Sequence, residues 1–116
     1  MSNYHEPAEE LSQEARNFSR ALNSLKEEIE AVDWYHQRVD ITEDESLKKI
    51  LAHNRDEEIE HACMTIEWLR RNMPGWDEEL RTYLFTEGDI TELEEGEEDG
   101  GNAGSSDSLG IGKIKK

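Results

Sequence analysis

Apolar residues in the first third of the chain recur in alternating steps of four and three. Leu11, Ala15, Phe18, Leu22, Leu25, Ile29, Val32 and Val39 keep this spacing, and His36 fills the one remaining position. Such a stripe is the seam of an amphipathic helix, and its heptad-like period suits packing along other helices. Proline is favoured in a first helical turn, so the pattern predicts a helix from Pro7 to about Asp40. At the break "VDITEDE", Thr42 and Glu45 have the capping-box spacing, which satisfies two orphan backbone donors. A second helix is expected from about Glu43 to Asn72, ended by Pro74 and Gly75. A shorter amphipathic helix is predicted over Trp76 to Phe85, burying Trp76, Leu80, Tyr83 and Leu84. No proline falls between Ala8 and Met73 and no glycine precedes Gly75, which leaves little reason to propose strands. The expected fold is all-α, with two long antiparallel helices plus a short C-terminal helix.

Charged positions sharpen this pattern. At about 100° per residue, Leu47, Leu51, Ala62 and Leu69 fall within about 40° of Glu58, with Ile66 and Met73 on one flank and Ile50 and Trp68 on the other. Glu58 therefore sits near the centre of an apolar stripe. Within "DEEIEHA", Asp56 and Glu60 face the opposite way and Glu57 lies at the boundary. An unpartnered buried carboxylate costs on the order of several kcal/mol, so compensation is expected. His61 follows one turn later on the same face. Glu-x-x-His at this spacing can chelate one first-row metal ion, and its oxygen and nitrogen donors suit iron, manganese or zinc.

The first helix repeats the situation in "SLKEEIEAVDWY". Glu28 lies at the seam's edge beside Ala21, Ser24, Ala31 and Tyr35, while Glu27, Glu30 and Trp34 project away from it. In an antiparallel hairpin, Glu28 and Glu58 can lie at the same height. The outward indole of Trp34 calls for an interface. His5, His36 and His53 lack comparable company and read as surface or seam histidines. Cys63 points away from Glu58 and reads as a structural or exposed thiol.

Composition adds constraints. The formal net charge of −16 makes nucleic acid and anionic membranes poor partners and multivalent cations good ones. A hydrophobic content of 34% is thin for a monomeric core, so association between copies is expected. One cysteine excludes an intramolecular disulfide and is compatible with a reducing compartment. With no bilayer-spanning apolar run and no signal-like start, the chain reads as soluble and intracellular. From about Glu92, "EEGEEDGGNAGSSDS" has the composition of a disordered linker. In the final "SLGIGKIKK", Leu109, Ile111 and Ile114 are spaced as small apolar anchors for grooves on another protein.

Ferritin-like di-iron bundles take one Glu from each of two helices and Glu-x-x-His from each of the other two. This chain carries half of that set on half of such a bundle. "EEIEAVDWYHQRVD", "LAHNRDEEIEHACMTIEWLRRN", "LRTYLFTEGDI" and the terminal "SLGIGKIKK" resemble the encapsulated ferritins, the iron-oxidising cargo of encapsulin nanocompartments. The resemblance covers most of residues 5–91 and the extreme tail.

It implies that Glu28, Glu58 and His61 are the catalytic ferroxidase ligands, and that two subunits contribute one set each to a shared di-iron centre. Homodimerisation would complete a four-helix ferritin-like bundle, and five dimers would form a ring. The resemblance also places Glu27, Glu30 and Trp34 around a secondary metal position on the access side, with Tyr35 close to the centre. It divides the chain into a helical-hairpin domain over 1–91, a linker over 92–107 and an encapsulin cargo-loading peptide over 108–116. The implied activity is oxidation of Fe(II) to Fe(III) with dioxygen, delivering iron for mineralisation inside a cytoplasmic shell. Two other readings stand beside it: a non-catalytic acidic helical assembly protein, and a manganese- or iron-dependent rubrerythrin-like peroxidase. The second usually brings a Cys-x-x-Cys iron domain, which one cysteine cannot supply.

Overall fold

The computed structural model describes residues 4–94. Every regular element among them is helical: a 3-10 turn over Ala8–Glu10, α1 over Gln13–Ile41, α2 over Glu45–Asn72, α3 over Trp76–Tyr83 and a second 3-10 turn over Ile90–Glu92. The chain divides into two compact units, Met1–Asn72 and Met73–Lys116.

α1 and α2 make up the first unit and pack against each other. α1 begins later than Pro7, because the 3-10 turn ends at Leu11 in extended geometry and Ser12 becomes the N-cap. The Ser12 hydroxyl accepts from the Ala15 amide at 3.0 Å, the bond that opens the helix. The expected Thr42 capping box does not form. Thr42 instead closes α1, with its amide and hydroxyl both donating to the Arg38 carbonyl at 3.0 and 2.5 Å. Asp44 takes the capping role at the start of α2, its carboxylate accepting from the Leu47 amide at 2.9 Å. Thr42 was two residues too early, and a hydroxyl spent on the outgoing helix cannot also cap the incoming one.

Three side-chain pairs join α1 to α2. The rings of Phe18 and Trp68 meet edge to face with centroids 6.1 Å apart. Thr65 on α2 donates to Glu28 on α1 at 3.1 Å, and Nη1 of Arg55 lies 3.4 Å from Nδ1 of His36 nearer the turn.

Little apolar surface is enclosed. Leu69 is fully buried, and Leu25 and Ala62 are the other buried apolar residues among those described. The first unit exposes Leu22, Ile29, Trp34, Leu47, Ile50 and Met64, among others. Four of these belong to the predicted stripes: Leu22 and Ile29 on α1, Leu47 and Ile50 on α2. Their direction is as expected, but one neighbouring helix covers only one flank of each stripe.

In the second unit α3 starts at Gly75, whose φ of 103° is open to glycine at no steric cost. Asp77, Glu78 and Glu79 occupy the first turn, where the helix dipole favours negative charge. α3 stops at Tyr83, short of Phe85. Leu84 is extended and exposed, and Phe85 takes φ 60° with its ring fully exposed, so the predicted burial of Leu84 does not occur. Burial, together with Glu94 and Glu79, pushes the Tyr83 phenol up.

Three stability outcomes follow. Leu69→Ala should destabilise by about 2–5 kcal/mol in denaturant titrations at fixed protein concentration, because its site is closed on all sides. Asp44→Ala should cost about 1 kcal/mol as a lost cap. The Arg70 guanidinium, followed by that of Arg71, holds the Glu67 carboxyl at about 2, below its ordinary 4.5. A depressed folded-state pKa means that the contribution is complete above the ordinary value and lost as pH falls toward 2. The stability gap between wild type and Glu67→Gln should therefore narrow from pH 4.5 down to about 2, measured by the same titrations.

Candidate metal centre

Helical phase decides which acid of "DEEIEHA" turns inward. The Glu58 side chain is 28% exposed, against 48% for Glu57 and 64% for Asp56, so Glu58 is the most enclosed of these three. His61, one turn on, directs Nδ1 to within 3.6 Å of a Glu58 oxygen. That is too long for a hydrogen bond. With metal–donor bonds of about 2.0–2.2 Å, two ligands on one ion stand roughly 3.0–3.5 Å apart, close to the gap seen here. The pair therefore fits joint coordination of one ion.

The other ring nitrogen of His61 faces Glu57 at 3.9 Å, and the second Glu57 oxygen lies 3.8 Å from Nε2 of His53. His53, Glu57 and His61 thus form a ladder along α2 with one turn per step. The i, i+4 spacing made Glu57 findable as a neighbour of His61, although its boundary position disguised it.

Glu28 is half-buried, and one of its oxygens accepts the Thr65 hydroxyl at 3.1 Å. The Glu28 carboxylate is thus engaged by a hydroxyl of α2, and no three His, Cys, Asp or Glu side chains gather as a metal cage among the described residues. The Tyr35 ring is half-buried, with the Arg38 guanidinium 5.1 Å from its centroid.

Glu27, Glu30 and Trp34 lie on one outward face of α1; both acids are exposed, and Trp34 is half exposed. His36 and His53 are exposed, as is the Cys63 thiol. No helix among the described residues is long and apolar enough to cross a membrane. Thr65 was not found from sequence, since a threonine in a helix carries no signal until the opposite helix is placed.

Residues 3–87 match the EncFtn-like family. The chain is 67% identical over 111 residues to a ferritin-like protein of Thermotoga maritima, covering 96% of each chain. It is 57% identical over 121 residues to an encapsulated ferritin-like protein of Rhodospirillum rubrum, covering 96% of this chain and 86% of that one. A crystal structure of a protein from Nitrosomonas europaea matches with TM-score 0.74 and 57% identity, covering 77% of this chain and 98% of that one. Helical hairpin, inward Glu-x-x-His and relatives together define an all-α protein of the ferritin-like class. The chain belongs to the EncFtn-like family of encapsulated ferritin-like proteins.

Proposed function

We propose that the protein is a ferroxidase, oxidising Fe(II) to Fe(III) with dioxygen at a centre completed by two copies of the chain. The observation that carries this reading is the half-buried Glu58 with His61 3.6 Å away on an α2 face that one partner helix leaves partly uncovered. Ferrous iron is the substrate, and two ions bound together supply an electron pair to dioxygen. Glu58 and His61 chelate, and Glu28 brings a carboxylate from α1. A second copy contributes the same three groups. Four carboxylates and two imidazoles then offset the charge of two ferrous ions and favour the harder ferric product. Such a pairing also covers apolar residues that the single hairpin leaves open, giving a four-helix bundle.

Around this centre, Glu27 and Glu30 form a secondary metal position beside Trp34 on the access side, and the net charge of −16 raises the local concentration of cations. Tyr35 stands close to the centre. Five dimers close into a ring that encloses no storage cavity, so the ferric product is deposited elsewhere. Residues 1–91 act as the helical domain, 92–107 as a tether and Ser108–Lys116 as the peptide that docks on an encapsulin shell; beyond residue 94 these segments lie outside the described residues. The name of the Rhodospirillum rubrum relative, an encapsulated ferritin-like protein, supports this destination.

Anaerobic loading with Fe(II) followed by exposure to air tests the proposal, with iron oxidation and oligomer mass followed together. Wild type should consume Fe(II) and dioxygen and precipitate its product when no shell is present. Glu58→Ala and His61→Ala should each abolish oxidation, and undiminished rates in both would overturn the assignment. Chromatography with and without Fe(II), with metal analysis of the peaks, separates this reading from a non-catalytic assembly protein, which predicts no stoichiometric metal.

A further inference from the structure

We propose that Thr65 is a positioning residue for Glu28, a latch that holds the carboxylate against α2 and releases it at little cost when iron binds. The inference rests on the ferroxidase reading and assigns a role to a residue outside its ligand set. The Thr65 hydroxyl has one proton and two acceptors at the same distance, a Glu28 oxygen and the His61 carbonyl, each at 3.1 Å. A carboxylate oxygen is a stronger acceptor than a peptide carbonyl, which favours donation of the hydroxyl to Glu28.

The alternative acceptor makes that choice reversible. α2 is continuous through this segment, so the carbonyl of His61 already has the Thr65 amide as its helical partner. It loses nothing while the hydroxyl serves Glu28. When Glu28 moves onto a metal ion, the hydroxyl turns back to that carbonyl, a local bond that threonine commonly makes four residues upstream in a helix. No donor is left unsatisfied in either state. The β-branched side chain also restricts χ1, so the two acceptors are reached from a small set of rotamers. Thr65 and Glu28 are both half-buried, which limits competition from water.

The carbonyl that takes the proton back belongs to His61, itself a proposed ligand. Thr65 thereby ties the α1 carboxylate to the α2 segment that carries the histidine. Because the hydroxyl serves Glu28 only in the metal-free state, it competes with coordination, and its removal favours the metal-bound state.

Anaerobic titration of the full chain with Co(II), read by calorimetry and visible absorption, tests the latch. Thr65→Val keeps the shape and removes the hydroxyl, and should tighten Co(II) binding by about tenfold. Thr65→Ser restores the hydroxyl and should bind within about threefold of wild type, a rescue that a packing role would not produce. Thr65→Ala provides a second removal of the hydroxyl should valine disturb the hairpin, as monitored by circular dichroism. Wild-type Co(II) affinity in both Glu58→Ala and His61→Ala would remove the ferroxidase centre itself. Loss of binding in those variants alongside wild-type affinity in Thr65→Val and Thr65→Ala would overturn the latch alone. Serine binding as tightly as valine would overturn it as well.

Discussion

One helix can cover only one flank of its neighbour. α1 and α2 each carry an apolar stripe broader than that flank, so the hairpin encloses Leu25, Ala62 and Leu69 while leaving Ile29, Ile50, Met64 and others to water. Apolar area left in water is worth roughly 25 cal/mol per Å² once covered, which makes the open sides the main drive for association. Glu58 lies within the same stripe. Whatever covers the stripe also removes water from that carboxylate, and a desolvated charge then requires a cation or a proton. Packing and the proposed metal chemistry would in this way be two results of a single geometric shortage.

Contacts between the helices carry the second level of organisation. Trp68 against Phe18, Thr65 against Glu28 and Arg55 against His36 join α1 to α2. A single copy presents the Glu58–His61 pair on one helix and, on the other, a carboxylate engaged by the Thr65 hydroxyl. Among the described residues no three such donors gather as a metal cage, which suits the proposed centre finished by a second chain.

The parts of this structure legible in sequence were those that depend on direction around a helix axis. Periodicity alone placed two long helices, a short third one, the inward Glu58 and its partner His61, and the outward faces of Asp56, Glu60, Glu27 and Trp34. Quantities set along the axis were less accessible. Ser12 displaced Pro7 as the start of α1, and Asp44 displaced Thr42 as the cap of α2, because neighbouring residues compete for the same orphan amides. The engagement of Glu28 by Thr65 depends on contacts with the opposite helix, which a helical wheel does not contain. Burial was overestimated at Leu84 for a related reason: phase tells where a side chain points, not what lies there to meet it.

The turn between α1 and α2 has a consequence in time. Only Thr42, Glu43 and Asp44 separate the helices, and both outer residues are committed to closing or opening a helix. Contacts near the turn are short in sequence, so the hairpin can zip from that end, a local process of the kind that folds quickly. Completion of the proposed two-copy centre would be of another order, since it depends on encounter and therefore on the square of the chain's concentration. Folding of the chain and appearance of its activity would then be separate events with separate clocks. Confinement of many copies in a small volume would speed the second while leaving the first unchanged.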